Sequence, residues 1–243
     1  MNTILIVCIL ASVAVIVERL RPNVHNPSVK SWWIRVALFN GIQAAIAFLG
    51  AHTWDAWMAG KHWLSLGGSS LAVQAAAGYL LITFVYYWWH RARHEVPALW
   101  RWLHQVHHSP TRMEVLMSFY KHPLEIVANG ILSSFLLYVV LGLSPPAVAL
   151  AITLTGVAEL FYHWNIRTPY WLGFVIQRPE SHRIHHQRER HSHNYSDLPI
   201  WDWMFGTLKN ARGPAVDCGF VENRENRVLP MLAGRDVNKE TAS

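Results

Sequence analysis

The chain is poor in charge. Only 15% of its 243 residues are Asp, Glu, Lys or Arg, against roughly 25% in an average soluble domain. That shortage excludes a surface wetted on every side. No basic stripe with interleaved aromatics lies outside the apolar runs, so nucleic acid is not an expected partner, and the net charge of +6 suits an anionic leaflet better. Cysteine is almost missing too. Cys8 and Cys218 lie far apart, which excludes a disulfide framework and a thiolate metal site alike. What the chain has instead is 52% hydrophobic residues, thirteen Trp and fifteen His. Aromatic anchoring and metal or proton chemistry are therefore open from the start.

A membrane-spanning helix needs about 20 apolar residues. Five stretches approach that length: 2–17, 34–51, 69–89, 126–142 and 145–162. The first has no Lys or Arg before its apolar core, and "ERLRPN" after it is no small-residue cleavage site, so it reads as a retained anchor. Pro145-Pro146 separates the last two runs and makes them a tight hairpin, either spanning or re-entrant. The expected fold is an all-α integral membrane protein of four to five spans with a helical cap. It forms one domain over 1–243: spans over 1–84, a histidine-bearing region over 85–210 and a polar tail over 211–243.

Orientation follows from flanking positive charge. Segment 18–33 carries Arg19, Arg21 and Lys30, and 90–125 carries Arg91, Arg93, Arg101, Arg112 and Lys121. The stretch 52–68 contributes only Lys61. Five spans then put the N-terminus outside, and the cap and C-terminus in the cytoplasm. Trp32, Trp33, Trp88, Trp89 and Trp164 mark the inner interface, with Trp54, Trp57 and Trp63 at the outer one.

Every dense histidine group falls on that inner side. Span three ends in "HRARHE", where His90 and His94 are i,i+4 on a helix. "HQVHH" places His104, His107 and His108 at i, i+3, i+4 on one helix face after Pro97, and "HRIHH" repeats the arrangement, with His182, His185 and His186 sharing a face after Pro179. His163 ends the fifth span. Clustered imidazoles either repel as they protonate or bind something that keeps them neutral, and metal does the latter. Nine are too many for one ion, so two ions are expected. Structural zinc usually recruits Cys, and the Glu-x-x-His pairs of soluble di-iron bundles are missing. An almost all-imidazole pair of sites at a membrane surface points to non-haem iron handling dioxygen. A zinc hydrolase using the same histidines to activate water is the alternative. A metal transporter would instead want polar ligands near the midplane of its spans.

The ordered set "HRARH…HQVHHSP…HPLE…HWN…HRIHH…NYSDLPIWDWMFGT" resembles the fatty acid hydroxylase superfamily, also called the sterol desaturase family, over about 85–210. The resemblance implies a di-iron centre that activates O2 to hydroxylate or desaturate a fatty acyl, alkyl-ether or sterol-like lipid. It implies His90, His94, His104, His107, His108, His163, His182, His185 and His186 as ligands. Glu159 stands where family members often carry another His. It either ligates a metal, bonds a ligand, or pairs with a basic residue. Glu95 follows His94 as in the alkylglycerol monooxygenase branch, and is expected beside the ligands or in an ion pair with Arg91. His122 and Asn194 are further family positions, open between metal contact and a supporting role. The resemblance also implies two iron ions, zinc replacing them in some purified samples, and a separate electron donor (a reductase, a ferredoxin or a cytochrome b5-like protein) or a pterin.

Overall fold

Proline opens five of the helices, at the first turn where its missing N–H costs no hydrogen bond. In the computed structural model, which describes residues 3–190, 192–212 and 215–238, the long helices are α1 (Thr3–Leu20), α2 (Trp32–His52), α4 (Leu71–Glu95), α7 (Pro123–Ser134) and α8 (Pro145–His163). Short α3 (Trp54–Met58) follows α2. The cap contains α5 (Pro97–Leu99), α6 (Gln105–His108), α9 (Pro179–His185), α10 (Pro199–Met204) and α11 (Val228–Leu232). No β-strand occurs among the described residues.

Four helical runs are long and apolar enough to cross a membrane: Trp32–Met58, Leu71–Glu95, Pro123–Val140 and Pro145–His163. They match the second to fifth expected runs. The first coincides with α1, which packs along α8. Val7 lies beside Gly156, Trp164 Nε1 donates to Ala14 O at 2.8 Å, and Asn165 N donates to Glu18 at 3.2 Å. Thus α1 and α8 run the same way, with their C-terminal ends at the cap. The C-terminal end of α4 also reaches the cap, whereas α2 and α7 begin there and run away from it.

The far end is closed by backbone contacts. A π-helical turn, Phe135–Val140, ends the fourth run, and Trp63 N, Leu64 N and Leu66 N donate to Val139 O, Val140 O and Leu141 O. Gly142, at φ +63°, turns the chain into α8; a Cβ there would stand 2.2 Å from Leu64 O. Only glycine fits that crossing.

Two buried carboxylates tie the cap to the spans. Glu114 accepts from Trp32 Nε1 at 2.6 Å, Arg112 at 2.7 Å and Arg19 at 3.0 Å. Glu225 pairs with Arg35 at 2.7 Å. Each carboxylate is buried with a cationic partner, as burial of charge requires. The stretch 215–238 folds against this region, with Phe220, Met231 and Val237 buried in one cluster with Trp32, Phe39 and Trp100. Both cysteines are free thiols.

Candidate metal centre

The nine histidines come from four places. The last turns of α4 carry His90 and His94, and the end of α8 carries His163. A π-helical turn, Trp100–His104, leads into α6 and supplies His104, His107 and His108. Wide turns of this kind recur at functional sites. Helix α9 and its C-cap supply His182, His185 and His186.

These side chains form two groups. His90, His94, His104, His108 and His185 make one; His107, His163, His182 and His186 make the other. Within each group, one donor atom per residue lies within 4.8 Å of every other. The two His-x-x-His-His helices therefore cross over. His104, at the end of the π-helical turn, and His108 of α6 join the first group, and His107 between them joins the second. Helix α9 does the reverse: His182 and His186 join the second group, His185 the first. Residues 107 and 108 diverge by about 100° around a helix, so one short helix serves two neighbouring points. The expected single shared face is thereby corrected to two.

Imidazole nitrogens face one another at short range. His90 Nε2 and His108 Nε2 stand 3.0 and 3.1 Å from His104 Nε2. His163 Nε2 lies 3.3 Å from His107 Nε2 and 3.2 Å from His182 Nε2, and His186 Nε2 lies 3.2 Å from His182 Nε2. In five of the nine, the opposite ring nitrogen meets oxygen. Nδ1 of His90, His107, His163 and His185 lies 2.7, 3.3, 2.9 and 2.8 Å from the carbonyls of Tyr195, Tyr120, Glu159 and His193. His104 Nδ1 lies 3.1 Å from Glu125 Oε1. A carbonyl only accepts, so Nδ1 carries the proton and Nε2 keeps a lone pair. Lone pairs aimed at one another repel unless a cation stands between them. At metal–nitrogen bonds of about 2.0–2.1 Å, neighbouring ligand atoms around one ion are about 3 Å apart, which is the observed spacing. The residues fit two metal ions.

Charge agrees with that fit. Burial, followed by nearby positive groups and imidazoles, holds His104, His107, His108, His182 and His186 well below the usual histidine range. They are neutral, the form that binds metal. Trp100 packs against His94 and His108, and the Tyr162 ring lies 4.3 Å from that of His182.

Four other expected candidates lie outside both groups. Glu95 is exposed and pairs with Arg91 at 2.6 Å. His122 caps α7, its Nδ1 accepting from Leu124 N at 3.0 Å. Glu159 is in an ion pair with Lys121. Asn194 is buried at φ +53° and bonds Ser181 O at 2.8 Å and Lys209 O at 3.0 Å, bracing the loop beside α9. Glu125, quoted within "HPLE" but given no role from sequence, proves central: wholly buried, it bonds both Arg93 and His104. A carboxylate immediately before an apolar run was the available signal.

A cavity of about 290 Å³ starts at His90, His104, His107, His163 and His182 and continues between the long helices. The sequence model for fatty acid hydroxylase matches residues 75–207, more than half of the chain. The chain belongs to the fatty acid hydroxylase family.

Its curated relatives in this family act on lipids by name. A tobacco (Nicotiana tabacum) Delta(7)-sterol-C5(6)-desaturase is 33% identical over 150 residues, 60% of this chain and 53% of its own. Human alkylglycerol monooxygenase is 33% identical over 137 residues, 55% of this chain and 30% of its own. An ornithine lipid hydroxylase of Rhizobium tropici is 30% identical over 169 residues, 67% of this chain and 50% of its own. The chain thus covers about half or less of each of these relatives. No solved structure matches it.

Proposed function

We propose that the protein is a membrane-bound oxygenase that uses O2 to hydroxylate or desaturate a lipid, with one iron in each histidine group. The observation that carries this reading is two sets of converging imidazoles at the head of a cavity that runs between apolar helices. When bound and reduced, the iron pair supplies activation of dioxygen. The protein does the rest. Backbone carbonyls and Glu125 fix the imidazole tautomers and ring orientations. The cavity holds a lipid chain with one C–H bond at the histidine end and keeps bulk water from it. In hydroxylation one oxygen atom enters the C–H bond. The other leaves as water, with two electrons and two protons from a separate donor (a reductase, a ferredoxin, a cytochrome b5-like protein) or a pterin. In desaturation two hydrogens leave the chain instead and no oxygen is retained. We place the cap and its site on the cytoplasmic side, where such donors reside.

The test is O2 uptake by anaerobically prepared, iron-loaded protein in nanodiscs, given chemical reductant and a mixture of native lipids. The expected result is O2 consumption coupled to a lipid product that carries label from 18O2 or an added double bond. Hydrolysis of lipid by a zinc-loaded sample, with no O2 consumed by the iron form, would establish the hydrolase alternative instead.

A further inference from the structure

The cavity has a floor as well as a head. Along α8 its lining runs from His163 down to Val148, about 22 Å at 1.5 Å per residue. At the bottom it is bounded by Gly50 of α2, Gly130 of α7 and Val148, with Trp54 between them. A Cβ on Gly50 would stand 2.2 Å from Trp54 Cζ2, and one on Gly130 would stand 2.9 Å from the same atom. The indole thus occupies the room that side chains at these two positions would need. It closes the gap between α2 and α7 because both facing residues are glycine. Two contacts hold it there. Trp54 packs on the cluster that includes Met58 and Leu136, and its neighbour Asp55 accepts from Ser134 Oγ of α7.

We infer that Trp54 sets the length of the chain this cavity accepts. The identity of the occupant as a lipid rests on the function proposed above. The lining follows α8 for about 22 Å, the reach of one extended alkyl chain. The polar side chains along α7 do not contradict an alkyl occupant. Tyr86 Oη donates to Asn129 O at 2.7 Å and lies 2.8 Å from Ser133 Oγ, while Asn129 Oδ1 accepts from Trp89 Nε1 at 2.8 Å. These groups are engaged with one another, whereas Gln43 Oε1 and Glu125 Oε2, on two other lining residues, have no hydrogen-bond partner among the described residues.

The experiment is a binding ladder, independent of turnover. The iron-loaded full chain is titrated with linear 1-alkanols of increasing length, and bound alkanol is counted by native mass spectrometry. Each methylene that enters the slot tightens binding about fourfold, until the chain meets Trp54 and the ladder goes flat. In Trp54→Ala the ladder keeps rising past the wild-type plateau. Trp54→Phe, a milder change, moves it in the same direction. Thr155→Phe, which fills the slot midway along α8, brings the plateau to a shorter chain. Identical ladders in the wild type and both Trp54 variants would overturn the inference. A plateau that moves as described in a protein that oxidises no lipid would leave the gauge standing and refute the oxygenase reading, so the two failures are distinguishable.

Discussion

Glu125 shows what a single side chain does for the centre. It is wholly buried, and it both pairs with Arg93 and orients the His104 imidazole. Removing it leaves a buried guanidinium with no carboxylate and a histidine whose ring is no longer fixed by an acceptor. Breaking a buried pair costs about 3–5 kcal/mol, and loss of a carboxylate behind a metal-binding histidine weakens metal affinity about 10–100-fold. Glu125→Ala is therefore expected to lower thermal stability and release metal to a weaker chelator. Glu125→Gln, which keeps an acceptor for His104 Nδ1, should restore much of the affinity and less of the stability. Chelator competition on the purified variants checks this. Unchanged affinity in Glu125→Ala would mean that His104 is held by other groups.

At the scale of elements, the centre depends on two short helices whose residues separate in opposite senses. The period of His104, His107 and His108 was plain in sequence, as was its repetition at His182, His185 and His186. Proline before each helix and apolar runs of spanning length were equally plain, because capping and hydropathy act locally. The crossover was not legible. Which of two adjacent histidines meets which partner is decided by the helix opposite, and one sequence carries no record of that. Glu159 makes the same point. At i−4 from His163 it occupies the place that His90 holds before His94, so local spacing could not separate a ligand from an ion pair. Lys121, from a different segment, takes the carboxylate. His122 and Asn194 likewise carry family spacing, yet the structure uses them as a helix cap and a loop brace. The π-helical turn before α6 has no compositional signature, and it is what aims His104 beside His90.

For the whole molecule, the alternating directions of α1, α2, α4, α7 and α8 put the cap and the N-terminus at opposite ends of the long helices. With positive charge concentrated at the cap end, we propose an outside N-terminus and a cytoplasmic site. A cysteine introduced at Gly67 in a cysteine-free background should react with an impermeant maleimide on intact cells. One at Lys209 should react only after permeabilisation. The reverse pattern would place the site away from cytoplasmic reductants.

The most direct test of the account is the number of metal ions the centre holds. Protein loaded with iron without oxygen, then desalted, should carry two irons per chain by elemental analysis. His107→Ala and His108→Ala, each damaging a different group, should each fall toward one while the chain still inserts in the membrane. A fully active preparation holding one iron per chain, or a His107→Ala variant that keeps two irons and normal turnover, would contradict it.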